Sequence, residues 1–224
     1  MRPALARIGA AVAMAAVLTS CSSGDGGDGA SEPGGLSVAE VCGGGFAKDA
    51  AVTAALKNVM GGERFDEGSA KPSKALDELR EDSREEWLPA YRPESVRYCW
   101  FWSAEGGGEK DLMIETSAVR KAPGLHPDHA KVVTSYASGL QAFSSSGLGF
   151  LYFSCGLKPP AHDIVVELKV RGPAGVPRED LEQRTRLITL GSAMARKISG
   201  ELGCQGDGLA TGVPVAIPNP SSTP

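Results

Sequence analysis

Residues 96–103 read VRYCWFWS, and their period of two predicts a β-strand rich in aromatic side chains. In this register Trp100 and Trp102 share one face of the strand, while Cys99 lies on the other. We interpret the two tryptophans as core residues rather than as a platform for carbohydrate, because large aromatic residues in strands more commonly pack inside a domain. After a turn of three glycines, residues 111–119 supply the second strand of a hairpin.

Two more strands are predicted nearer the C-terminus, at residues 148–155 and 164–171, with the turn-forming residues 158–161 between them. The segment that precedes this pair has a different spacing. Its apolar residues recur at intervals of three and four: Val133, Tyr136, Leu140 and Phe143. That spacing predicts a helix.

Three further helices are predicted, each with recognisable end signals. One spans residues 47–60 and stops at Gly61, and a second, highly charged helix spans residues 72–87. The longest runs from about Pro177 to Gly203, with acidic residues in its first turn and basic residues near its end.

The order of these elements predicts an α+β fold, with a sheet of four mostly antiparallel strands covered by helices on one face. Residues 36–209 form the single expected domain. Before it, residues 21–35 are mostly Gly, Ser and Asp and predict a flexible tether. After it, the proline-rich residues 210–224 predict a disordered tail.

The N-terminus has the composition of an export signal. Two arginines precede an apolar run at residues 8–18, which is much shorter than the roughly 20 residues that span a membrane. The run ends in Leu18-Thr19-Ser20-Cys21, which resembles the lipobox of bacterial lipoprotein precursors. The resemblance implies that residues 1–20 are a signal peptide, that Cys21 is lipidated, and that the protein is anchored on the outer face of the cytoplasmic membrane. The alternative is an ordinary secretory signal beside an unrelated cysteine.

Charge narrows the range of partners. Cleavage before Cys21 removes two of the 23 basic residues and none of the 27 acidic ones, which leaves a net charge of −6. A chain of this sign has no basic stripe that could follow a phosphate backbone, so nucleic acid is not expected as a partner. Attachment to the membrane is therefore assigned to the lipid rather than to charge.

Four cysteines remain for the domain: Cys42, Cys99, Cys155 and Cys204. An even number in an oxidising compartment predicts two disulfides, and their wide spacing argues against a zinc site. The sequence leaves three pairings open. We prefer Cys42–Cys99 and Cys155–Cys204, because these bonds would fasten the N-terminal segment to the first hairpin and the last helix to the sheet.

The layout beyond the lipobox resembles small two-disulfide surface lipoproteins of actinobacteria, and more faintly the extracellular sensor modules of actinobacterial receptor kinases. This resemblance rests on element order and cysteine placement. It implies no functional residue.

No catalytic, cofactor-binding or metal-binding residue is predicted. The sequence contains neither a Gly-x-Ser-x-Gly elbow nor a Ser-x-x-Lys motif. We interpret the pair His126 and His129 as belonging to a helix start rather than to a metal site. The acidic stretch 78–86 is expected to be a solvated helix face. We expect a non-catalytic domain that binds a cell-wall component, a small molecule or a membrane protein. The alternatives are a cell-envelope enzyme whose site forms only in the fold, and a structural role.

Overall fold

A single antiparallel sheet organises the residues that the computed structural model describes, which are 34–85, 93–105 and 110–219. Within these ranges the sheet has nine strands: β1 (Leu36–Ser37), β2 (Arg64–Glu67), β3 (Val96–Ser103), β4 (Asp111–Val119), β5 (Thr134–Tyr136), β6 (Gln141–Ser144), β7 (Leu148–Cys155), β8 (Ile164–Arg171) and β9 (Ala216–Ile217). Their spatial order is β1-β2-β3-β4-β8-β7-β6-β5-β9.

Helices are inserted between these strands. They are a 3₁₀ turn at Val41–Gly44, α1 (Ala50–Met60), α2 (Pro72–Asp82), the four-residue α3 (Pro127–Ala130) and α4 (Leu181–Leu202). Asp49 caps the start of α1 by accepting a hydrogen bond from Ala51 N–H. Gly61 and Gly203 end α1 and α4 in the left-handed conformation, as their positions in the sequence predict. Both α2 and α4 pack on the sheet, and α1 packs on α4.

The α+β class and the two disulfides are confirmed, but the prediction of a four-stranded sheet is wrong. The four expected strands are β3, β4, β8 and β7, and they lie side by side in the middle. Five short strands extend the sheet beyond them on both sides. Strands of two to four residues contain too few alternations to be recognised from periodicity.

The helix predicted through Tyr136 and Phe143 is also wrong, because the segment forms the hairpin of β5 and β6. Gly139 lies in the hairpin turn with a φ of +62°, and its N–H donates to the Gly208 carbonyl oxygen. A left-handed residue at this point interrupts a helix. The apolar spacing of three and four arises because the residues belong to two strands rather than to one helical face.

The folded unit continues past the predicted boundary at Leu209. Strand β9 pairs with β5, and Asn219 accepts a hydrogen bond from Ser135 N–H and donates to the carbonyl oxygens of Ala130 and Val133. The predicted disordered tail is therefore wrong for residues 210–219. The predicted signal peptide and lipidation site lie outside the described residues, as do residues 21–33 of the predicted tether and residues 220–224. Helix α2 ends at Asp82, with Ser83 as its C-cap, so the prediction that it extends to Trp87 is wrong.

The core lies between the sheet and the helices. Phe101 is fully buried there, with ring centroids 5.9 Å from Phe46 and 5.4 Å from Phe65. A β-bulge between Arg97 and Cys99 shifts the register of β3 against β4. Because the bulge adds one residue on the core side, Tyr98 and Cys99 are both fully buried. After the bulge, Phe101 therefore faces the core, and Trp100 and Trp102 face the other side of the sheet.

Two disulfides join the helical layer to the sheet. Cys42 in the 3₁₀ turn is bonded to Cys99 of β3, with 5.5 Å between their Cα atoms. Cys155 at the end of β7 is bonded to Cys204, just beyond α4, with a Cα separation of 4.6 Å. These are the partners that the sequence favoured among three possible pairings.

Candidate functional site

The face of the sheet opposite α1, α2 and α4 is the candidate functional surface, and we call it the open face. Alternation and register place side chains from five strands on it. These are Arg97, Trp100, Trp102, Met113, Glu115, Glu167, Lys169, Phe143, Leu148, Phe150 and Tyr152. All of them except Tyr152 are partly exposed. No long helix in the described part of the chain packs on this face.

One end of the open face is formed by Trp100 and Trp102, and we call it the Trp end. The two ring centroids are 5.2 Å apart, with the planes inclined by 59°. Trp100 Nε1 donates to an Asp111 carboxylate oxygen at 3.0 Å, and the Arg97 guanidinium carbon lies 5.1 Å from the Trp100 ring centroid. Gly68 packs against this ring, because a Cβ added there would overlap with Trp100 Cε3. Trp100 is therefore held in place by hydrogen bonding, a cation–π contact and packing.

The position of the tryptophans corrects the expectation that they are core residues. The bulge puts Tyr98, Cys99 and Phe101 on the core side, which leaves Trp100 and Trp102 on the open face. Trp102 makes no hydrogen bond through its indole N–H to any residue in the described ranges. Its ring and its donor are both accessible to a ligand.

The middle of the open face is charged. Glu115 and Lys169 are directly paired in register and form an ion pair of 3.1 Å, with side chains that are 20% and 26% exposed. Beside them, burial raises the pKa of the Tyr152 phenol, and its hydrogen bond to the Glu167 carboxylate raises this pKa further. These pairs separate the Trp end from a second aromatic group.

That second group, which we call the Phe end, consists of Phe143, Leu148 and Phe150 on β6 and β7. The Phe143 and Phe150 ring centroids are 5.3 Å apart. Unlike the Trp end, this group borders a cavity of about 200 Å³, on whose other side lie His129 and Val132, from the segment that includes α3.

Other sequence candidates are distributed outside these two groups. His129 lies on α3, and His126 caps the start of this helix by accepting from Asp128 N–H at 3.3 Å, as expected of a helix start. In the acidic stretch, Asp82 is only 4% exposed, so the expectation that it is solvated is wrong. Tyr98, which was not singled out, is buried and donates to a Glu201 carboxylate oxygen at 2.9 Å.

Metal-ligand types of side chain come together at one place among the residues that the structure describes: Cys42, Glu67 and Cys99. The two sulfur atoms there are bonded to each other, and a Glu67 carboxylate oxygen accepts from Cys42 N–H at 3.0 Å. The carboxylate therefore helps to position the disulfide.

Within the described ranges, no helix combines the length and the apolar character needed to cross a bilayer. Comparisons of the chain with protein-family models, with curated proteins and with solved structures returned no match.

Proposed function

We propose that this chain is a lipid-anchored extracytoplasmic protein whose domain binds a neutral cell-wall polysaccharide at the Trp end, without catalysis. The observation that carries the proposal is a pair of partly exposed tryptophans, one of which is already fixed by its neighbours. Ordering a side chain on binding costs free energy. Because Trp100 is ordered before any ligand arrives, this cost is reduced.

The chemistry of the Trp end favours a sugar ring over other partners. A pyranose ring presents an apolar face of C–H groups and a rim of hydroxyls. Trp102 offers a complementary aromatic face and an indole N–H with no hydrogen-bond partner in the described part of the chain. Charges near the pair are mixed, because Arg97 and Asp111 contact Trp100 and Asp66 is paired in register with Trp102, so neither a polyanion nor a polycation is favoured.

Export is supported independently by the cysteines. Disulfides persist in oxidising compartments and are rare where thiols are kept reduced. The domain contains two, and both join separate layers of the fold. This supports the assignment of residues 1–20 as a signal peptide, while the assignment of Cys21 as the lipidated residue rests on the resemblance of residues 18–21 to a lipobox.

An enzymatic role remains the second candidate. Such a role calls for titratable groups with shifted pKa values that converge in a cavity. Four described residues with shifted pKa values are Glu40, Tyr98, Tyr136 and Tyr152. Each is hydrogen-bonded to a different neighbour, and no two of them share a partner. A binding role is therefore preferred.

The membrane anchor is tested by Cys21→Ala. We expect the wild-type protein to fractionate with membranes and this variant to be released, because the thiol that carries the lipid is absent. Ser22→Ala is the matched control and should remain with membranes. Membrane association of Cys21→Ala at the wild-type level contradicts the anchor.

Polysaccharide binding is tested by titrating the full chain with cellohexaose and with chitohexaose while tryptophan fluorescence is followed. We expect at least one of them to bind, and Trp102→Ala to weaken that binding at least about tenfold, as for a central aromatic contact. Phe150→Ala, at the other end of the open face, is the control and should bind like the wild type. Absence of binding by both sugars, or unchanged affinity of Trp102→Ala, contradicts the proposal.

A further inference from the structure

A groove lies where the turn between β6 and β7 meets the start of α4, and we call it the end groove. It consists of two adjoining cavities, of about 200 Å³ and about 580 Å³. Val132 and Ser145 line both of them, so the two cavities are neighbours with a shared wall. The end groove borders the Phe end of the open face and includes neither tryptophan of the Trp end.

The smaller cavity is apolar. Its walls are formed by Val133, Phe143, Leu148 and Phe150 together with the shared Val132 and the ring of His129. Val132 is 49% exposed, so an apolar side chain at the mouth of this cavity is in contact with water. Apolar cavities of about 150 Å³ in proteins are large enough for a benzene ring. The smaller cavity can therefore enclose an aromatic ring or a short alkyl chain.

The larger cavity carries an excess of positive charge. Lys131, Arg178 and Arg184 line it, against one acidic residue, Glu179. Like charges in a concave surface attract a ligand of the opposite sign. Two of the three cations are arginines, which bind carboxylate and phosphate through paired N–H donors.

The Lys131 ammonium group is ion-paired with Asp128 at 2.9 Å, and unbonded donors remain on the two arginines. Arg184 donates to Thr134 Oγ1 at 3.2 Å and to the Arg178 carbonyl oxygen at 2.5 Å, while its Nε is buried with no partner in the described ranges. The Arg178 guanidinium makes no ion pair or hydrogen bond within the same ranges. Ser146 is 7% exposed, and its hydroxyl is likewise unbonded there. An anion in the larger cavity would meet the exposed Arg178 and Lys131 side chains, whereas the Arg184 Nε atom is buried behind them.

We propose that the end groove binds an amphiphilic anion, with a hydrocarbon group in the smaller cavity and a carboxylate or phosphate among Lys131, Arg178 and Arg184. The apolar cavity adjoins the cationic cavity, just as the hydrocarbon group adjoins the charged group in such a molecule. This site is separate from the polysaccharide surface, because its ligand uses neither Trp100 nor Trp102.

Calorimetric titration of the full chain with octanoate, octyl phosphate and neutral 1-octanol tests the proposal. We expect at least one of the two anions to bind at least about tenfold more tightly than 1-octanol, since a hydrogen bond to a charged group contributes more than a neutral one. Tighter binding of octanoate indicates a free fatty acid, and tighter binding of octyl phosphate indicates a lipid phosphate. Either result supports the site.

The charge assignment is tested by the double variant Lys131→Gln and Arg178→Gln. Both side chains are exposed, so the fold should be retained, which near-ultraviolet circular dichroism checks. Affinity for the anion should fall at least about tenfold, while affinity for 1-octanol should be unchanged. Lys121→Gln, at the opposite end of the sheet, is the matched control.

Two results overturn the inference: equal affinities for 1-octanol and the anions, or an unchanged anion affinity in the double variant. The same double variant is also titrated with cellohexaose and chitohexaose, so that the polysaccharide proposal is tested separately from the end groove. If the wild-type protein binds a sugar but neither anion, only the inference about the end groove is wrong. If anion binding is present and sugar binding is not, the polysaccharide proposal alone is wrong.

Discussion

The two ends of the open face carry aromatic residues of similar size, but what surrounds the rings is different. At the Trp end, Asp111, Arg97 and Gly68 fill the space around Trp100, and the Cys42–Cys99 disulfide fastens the adjacent residue from the core side. At the Phe end, the space beside Phe143 and Phe150 is a cavity that adjoins the larger, cationic cavity of the end groove.

This difference separates two kinds of binding on one sheet. A tryptophan ring that is fixed by its neighbours presents a rigid aromatic face, which is complementary to the apolar face of a sugar ring. Rings that border an empty cavity can instead enclose a ligand, and the adjoining cations determine its charge. The number of aromatic residues does not distinguish these two kinds of binding. The side chains that surround the rings distinguish them.

The comparison of the Trp end with the Phe end depends on the tryptophans lying outside the core. Substitutions at two neighbouring positions of β3 test this, and they have the largest expected effect on the free energy of unfolding. Phe101→Ala should lower the free energy of unfolding by about 3–5 kcal/mol, because it leaves a cavity in a fully buried site. Trp102→Ala should cost about 1 kcal/mol, because its side chain is partly exposed on the open face.

Urea denaturation of the two variants, with the wild type as reference, measures both values. The larger side chain is thus expected to have the smaller effect. Comparable losses for Trp102→Ala and Phe101→Ala would place both residues in the core, and the Trp end would no longer be a binding surface.

The tryptophans also show what sequence periodicity can and cannot establish. The bounds of β3 follow from alternation, and those of β4, β7 and β8 follow largely from the turn-forming residues beside them. The face of each residue does not follow, because one bulge at Tyr98 reverses the alternation and no residue type marks it. The candidate binding surface was therefore assigned to the core on the basis of its sequence.

The Phe end was missed for a different reason. Phe143 was assigned to a helix because β5 and β6 are short and joined by a tight turn, so their apolar residues imitate helical spacing. The cationic groove combines Lys131 with Arg178 and Arg184, which are almost fifty residues further along the chain. Such a combination is produced by tertiary packing, and no local pattern records it.

The disulfides were more accessible to sequence reasoning. Cys155 ends a strand on the core side, and Cys204 follows the helix that covers that side, so their proximity depends only on the order of layers. Cys42 and Cys99 were paired by similar reasoning. Long-range contacts can thus be predicted where they join whole elements, and not where they depend on the register of one residue.

The smallest expected effect comes from weakening the contact that fixes Trp100. Asp111→Asn keeps an acceptor for Trp100 Nε1 but removes its charge, and a hydrogen bond to a charged group contributes about 1 kcal/mol more than a neutral one. We therefore expect the free energy of unfolding to fall by no more than about 1 kcal/mol in urea denaturation. Affinity for the sugar that binds should fall several-fold, because Trp100 is less well ordered. Asp66→Asn is the matched control, since Asp66 is exposed and lies beside Trp102 in register without bonding to it. Affinity for octanoate or octyl phosphate should be the same in both variants. A parallel loss of anion affinity in Asp111→Asn would show that the two ends are coupled through the sheet rather than independent.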